Sequence, residues 1–398
     1  MKNPSTTRSA PASFQTLNQP ARRVWLRALS LAPVAAALAA CGGGGSDGGA
    51  ASGGGSGGGD VGAAASRRWR MGFGGLQPRL TVESAVENVD NFSTRAEMAA
   101  IYNDVPWKEL LAGTDAETII KRDQLGLVNL YRAKGLKLLF VADPANGLAR
   151  ESEAAQLSAL GRSLTEPAIQ QVWQDYVLAA ARLLEPDWIC LAVETNLIRI
   201  SAPAALYNAV RQSANNTATA LRAAGLAHPP KLMSSVQVET AWGLMPGQNG
   251  QFQGIATDRS DFAFTECLGL SSYPYLVKAR PQDIPDDWYS RVVGGSSIPT
   301  MVSEGGWNSA TVSTPDSATL ASSPELQREY IDRQAQLLDS ISAVGWVQLY
   351  FADLDLSALQ PSTRDSLKPF AYLGLTDSDF KPKSALSAWD ALHARPLA

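Results

Sequence analysis

Two glutamates stand where hydrophobic runs give out. Trp188-Ile189-Cys190-Leu191-Ala192-Val193 leads into Glu194-Thr195-Asn196, and Pro299-Thr300-Met301-Val302-Ser303 leads into Glu304-Gly305-Gly306-Trp307. A short run that is apolar on both faces reads as a buried parallel strand, so each carboxylate should emerge where its strand meets solvent. A pair of carboxyl groups across one cleft can cleave a glycosidic bond. One gives its proton to the leaving oxygen, and the other attacks the anomeric carbon or activates water. Like charges brought close cannot both ionise easily, so proximity by itself favours one protonated and one ionised group. A single strand-end glutamate is more often a loop cap or an ion-pair partner; two on separate strands point toward chemistry.

Eight β-rich runs recur along the chain: Met71–Leu76, Ala96–Asn103, Lys137–Ala142, Trp188–Val193, Lys231–Val238, Phe262–Ser272, Thr300–Ser303 and Gly345–Phe351. Amphipathic segments lie between them. One is predicted over Thr114–Lys134, with Thr114 and Glu117 at capping-box spacing and Gly135 as the stop. Others span Glu166–Leu184, Ala204–Ala224, Pro324–Ser342 and Lys383–His393, and Pro167 and Pro324 sit at starts where the missing N–H costs nothing. Strand and helix in alternation predict an α/β chain, and eight such units predict a (β/α)8 TIM barrel, a single catalytic domain over residues 67–398. A doubly wound open sheet would carry a dinucleotide or phosphate loop. Gly72, Gly74 and Gly75 follow the first run, but Gln77 stands where the third glycine belongs, and no Gly-Lys-Ser/Thr sequence occurs.

In such a barrel the working groups lie at the carboxyl ends of the strands. Trp107, Trp242, Tyr273, Tyr275, Trp307 and Tyr350 all follow predicted strand ends, and aromatic rings there would suit the apolar faces of sugar rings. Polar residues expected on the same rim are Asp104, Asp143, Asn196, Gln237, Glu239, Asn308, Asp353 and Asp355, which serve equally well as loop caps. The substrate-binding set is thus Asn196, Tyr273, Trp307, Trp107, Asp143, Gln237, Glu239, Trp242, Tyr350 and Asp353. No cofactor and no metal is called for. The two histidines, His228 and His393, fall away from the strand ends, which excludes a three-imidazole zinc site.

The chain has 398 residues, 45% apolar and 18% charged, with a net charge of −4. Residues 1–40 hold five cations and no acid, so the remainder is more acidic still. Without clustered Lys and Arg, nucleic acid is not an expected partner. Arg22, Arg23 and Arg27 precede the small and apolar run Ala28–Ala40, too short to span a bilayer, which reads as a signal peptide over residues 1–40. Its end, Leu38-Ala39-Ala40-Cys41, resembles the bacterial lipobox, implying acylation of Cys41, a lipid bilayer as partner and a place in the cell envelope, at the outer membrane or cell surface. Residues 41–66 are the lipidated Cys followed by a Gly/Ser-rich linker, a flexible tether with a mean span of roughly 25 to 30 Å. Cys190 and Cys267 lie in apolar runs and are expected as buried thiols, and the body is expected as a monomer.

The pairing of Glu194 on the fourth run with Glu304 on the seventh resembles the retaining glycoside hydrolases of the large barrel clan with acid/base on strand four and nucleophile on strand seven. Endo-galactanases and related bacterial lipoproteins look most similar. The resemblance implies Glu194 as acid/base, Glu304 as nucleophile, Tyr273 as a hydrogen-bond donor to the nucleophile, and a carbohydrate substrate. Glu304-Gly305-Gly306-Trp307 and the Lys-Pro entry to the last helix, Lys381-Pro382-Lys383, fit the same pattern. The clan usually has Asn just before the acid/base, where it bonds the sugar 2-hydroxyl. Here that place holds Val193, and Asn196 is the nearest amide. The departure keeps a second reading open, a non-catalytic carbohydrate-binding lipoprotein on the same barrel.

Overall fold

The computed structural model describes residues 66–313, 319–358, 364 and 367–398. The segment read as a signal peptide, Cys41 and the tether to residue 65 lie outside the described residues. Eight parallel strands close a ring: β1 Arg70–Gly74, β2 Met98–Tyr102, β3 Lys137–Val141, β4 Trp188–Ala192, β5 Lys231–Gln237, β6 Cys267–Ser272, β7 Thr300–Gly305 and β8 Ala343–Gln348, each bonded to the next and β8 to β1. The expected (β/α)8 barrel therefore forms. A short antiparallel ribbon, Val312–Ser313 with Thr319–Leu320, follows β7.

Two apolar layers hold the ring. Met98, Leu139, Trp188, Cys190, Met233, Cys267, Met301 and Val347 fill its interior. The opposite faces of the strands pack under helices α1 Val82–Ser93, α2 Ala116–Asp123, α3 Leu125–Ala133, α4 Pro167–Leu184, α5 Ala204–Ala223, α6 Ala256–Asp261, α7 Ser290–Val293, α8 Pro324–Asp339 and α9 Ser384–His393. In α4 the buried residues Ile169, Trp173, Tyr176, Ala180 and Leu184 recur three and four apart, which gives the helix one apolar stripe. Pro167 and Pro324 occupy the first turns of α4 and α8, as the sequence indicates. Cys190 and Cys267 are buried free thiols.

Three local expectations are corrected. The helix read over Thr114–Lys134 is two helices, broken at Gln124 with φ −127° and ψ −33°. Its cap is Asp115, whose Oδ2 accepts from Thr118 N–H at 2.9 Å, so Thr114 is left outside. The strand read over Phe262–Ser272 begins only at Cys267, because Phe262 N–H bonds Asp258 O and closes α6. Helix α1 was not among the expected segments, although Val82, Val86, Val89 and Phe92 recur three and four apart; Thr81 Oγ1 caps it by accepting from Ser84 N–H.

Away from the strand ends, ion pairs stitch the chain together. Arg67 pairs with Glu97 just before β2, and His393 Nε2 of α9 lies 2.8 Å from Glu97 Oε1. The hydrogen bond from Arg67 N–H to Pro396 O, at 2.9 Å, brings the first described residues beside the last.

Candidate functional site

The strands leading to both glutamates are irregular. On β4 one residue is extra relative to β5, between Cys190 and Ala192, and on β7 one is extra relative to β6, next to Glu304. Such bulges re-aim side chains at strand ends. Glu194 follows immediately, in left-handed conformation at φ 51° and ψ 46°, at the start of the helical turn Thr195–Ser201. A non-glycine residue held there stores strain, and the Ser235 Oγ that accepts the Glu194 N–H at 3.0 Å helps to keep it. After Glu304 the chain runs so close to β6 that a Cβ on Gly305 would lie 2.2 Å from Ser272 O, which explains the glycine.

The two carboxylates share one rim. Ser271 of β6 lies in register with Glu304 and donates its hydroxyl to Glu194 Oε1 at 2.7 Å. Tyr273 Oη donates to Glu304 Oε1 at 2.8 Å. Burial and the neighbouring Glu304 charge push the Tyr273 phenol well above its ordinary value, so it remains a donor. A cleft open to solvent is lined by Glu304, Val193, Asp143, Arg150, Tyr102 and Asp104 among others.

Arg150 is the residue that sequence reasoning missed. It lies in the loop after β3, where Asn146 Oδ1 accepts from the N–H groups of Leu148 and Ala149 and curls the chain back over the barrel mouth. Its guanidinium, 5% exposed, donates Nε–H to Glu194 Oε2 at 2.8 Å and Nη1–H to Asp143. Burial works against the Arg150 charge, and the two carboxylates outweigh it. The available signal was a lone cation in Asp143-Pro144-Ala145-Asn146-Gly147-Leu148-Ala149-Arg150, directly after a strand end. Both Glu194 oxygens are thereby engaged as acceptors, one by Arg150 and one by Ser271.

Most other residues expected on the rim are turned inward. Asn196, the proposed substitute for the missing amide, clips β5 instead: its Nδ2 donates to Gln237 O and its Oδ1 accepts from Gln237 N–H, both at 2.8 Å. The Gln237 side chain is buried and accepts from Thr240. Glu239 lies wholly beneath Tyr273, accepting its N–H at 2.8 Å, and burial pushes its carboxyl up to about 8, so it stays uncharged near neutrality. Asp353 is locked to Lys383 Nζ at 2.5 Å and accepts from Gly374 N–H, which fastens the segment before α9 to the end of β8. Trp107 and Trp307 are core residues, and Trp307 donates to Ser322 Oγ. Tyr275 and Tyr350 are buried as well. Trp242 stacks on Trp288 with centroids 5.0 Å apart and lies under the Arg291 guanidinium. Among the described residues, no group of three or more His, Cys, Asp or Glu is arranged to hold a metal ion.

Several solved structures share this architecture. The chain is similar to an exo-beta-1,4-mannosidase from Opitutaceae bacterium strain TAV5, at TM-score 0.58 and 12% identity over 82% of this chain, and it spans only 59% of the mannosidase's length. It is similar to GH5_18 from Streptomyces cattleya, solved with GlcNAc, at TM-score 0.55 and 13% identity over 83% of this chain and 80% of that one. It is also similar to xylanase 10B from Thermotoga petrophila RKU-1, solved with xylobiose, at TM-score 0.55 and 11% identity over 82% and 94%. At these identities the likeness is one of fold. No model of a known protein family matches the sequence, and no curated protein matches it.

Proposed function

We propose that the chain is a glycoside hydrolase that cleaves an O-glycosidic bond of a poly- or oligosaccharide by double displacement, anchored to a bacterial envelope through acylated Cys41. The observation that carries this reading is Glu304 at the end of β7, bound by Tyr273, lining an open cleft and linked through Ser271 to a second carboxylate on the same rim. Barrels of the same architecture that act on mannosides and xylans support it. Glu304 attacks the anomeric carbon, the bond to the leaving oxygen breaks, and that oxygen takes the proton of Glu194. Glu194 then takes a proton from water, which displaces Glu304. For Glu194 to hold that proton on an oxygen facing the substrate, the Arg150 bond to it must open. Asp143 gives the guanidinium an alternative partner already in contact.

The test is hydrolysis of β-1,4-linked mannan, xylan and galactan oligosaccharides. The wild type is expected to turn over at least one and to be trapped by the matching 2-fluoro glycoside. Glu304→Gln should lose at least ~10^3-fold in rate with its fold intact. Full activity in that variant would remove the assignment.

A second reading, a non-catalytic carbohydrate-binding lipoprotein, is favoured by one specific arrangement: both Glu194 oxygens are occupied by protein donors, and Asn196 is committed to the backbone of β5. Saccharide binding unchanged by Glu194→Gln, with no hydrolysis of any of these oligosaccharides, would select it.

A further inference from the structure

Tyr102, Asn103 and Asp104, at the end of β2, line the Glu304 cleft on one side. On the other they line a groove, open to solvent, walled by Ile119, Leu127 and Gln156. Its floor is a trio of side chains. Tyr176 Oη donates to Asn103 Oδ1 at 3.2 Å and accepts from Gln124 Nε2 at 3.0 Å, while Gln124 Nε2 also donates to Asn103 Oδ1. Gln124 is 9% exposed, and its Oε1 has no partner; Asn103 Nδ2 is likewise buried without one. Turning both amides over exchanges their roles and again leaves one spare donor and one spare acceptor, so the imbalance belongs to the trio.

The break between α2 and α3 serves the same place. Gln124 leaves helical geometry, yet its N–H still bonds Ile120 O and its C=O still accepts from Val128 N–H, so the helix ladder is kept while the amide turns into the groove. A buried acceptor beside a buried donor is what adjacent hydroxyls satisfy, since each hydroxyl can both give and accept. Leu127, half-buried, offers apolar surface for a ring face, and the rim carries charges of both signs in Lys108, Glu109 and Asp123.

We infer that this groove is a second sugar subsite, continuous with the cleft, which takes a neutral unit of an extended oligosaccharide through Asn103 and Gln124. It rests on the proposed function only in that a saccharide occupies the cleft. The test is calorimetric binding of β-1,4-linked bioses and tetraoses of mannose, xylose and galactose to full-length protein carrying Glu304→Gln. At least one tetraose should bind more tightly than its biose. Gln124→Leu and, separately, Leu127→Trp should raise the tetraose Kd at least tenfold relative to the biose. Should Gln124→Leu fail to fold, Leu127→Trp decides, because it fills the groove without touching the amides. Equal effects on both lengths, or none, overturn the inference. Absence of binding by every sugar overturns it together with the proposed function, whereas length-dependent binding without wild-type hydrolysis overturns only the enzymatic reading.

Discussion

Arg150 binds two carboxylates at once, and at 5% exposure neither charge on either side can be left to water. Removing one member of such a group costs more than the group contributes, because the remaining charges stay buried unpaired. Arg150→Met should therefore lower stability by about 3 to 5 kcal/mol in denaturant unfolding at pH 7, and adding Asp143→Asn should recover part of that loss. Recovery failing to occur would mean that the arginine matters for its packing alone. At this scale the sequence was legible for position: Glu194, Glu304 and Tyr273, each read at a strand end, share one rim. It was opaque where a side chain has two plausible duties. Asn196 and Glu239 are the residue types a sugar site uses, but hydrogen bonds to Gln237 and Tyr273 claim them first.

The strands and long helices were readable because their periodicity is set by burial on known faces, as in α4 with its single stripe. The break at Gln124 was not, since the partners of its side chain there, Asn103 and Tyr176, lie 21 and 52 positions away. The same holds for the stitch around Glu97, which joins the segment before β1, the start of β2 and the end of α9. Burial opposes the Glu97 charge, but hydrogen bonds from His393, Arg67 and the Met71 N–H outweigh it and hold the carboxyl at about 2, below its ordinary 4.5. The folded state therefore binds this proton later than the unfolded one as pH falls. The stability it contributes is present above about pH 4.5 and is lost on the way down to about 2. Thermal unfolding followed across that window should show the midpoint falling with pH, and Glu97→Gln should flatten the slope while lowering the midpoint at pH 7.

At the scale of the whole molecule, eight strand–helix units predict a ring without any resemblance being invoked, and the ring is what closes. What the units do not reveal is how much of the mouth stays open, because that depends on the loops, such as the one carrying Arg150. The proposed anchor also belongs to this scale. Cys41→Ser should move the expressed protein from the membrane pellet to the soluble fraction without altering its hydrolysis rate on a dissolved oligosaccharide. Retention in the pellet would discard the lipid attachment at that residue.

Arg67 enters β1 from the end of the barrel remote from Glu304, beside Pro396 and Leu397. A chain tied to a bilayer by anything upstream of Ser66 is thus held by its back. The mouth that holds Glu304 then stays clear of the point of attachment, so a long polymer reaches it without meeting the tether.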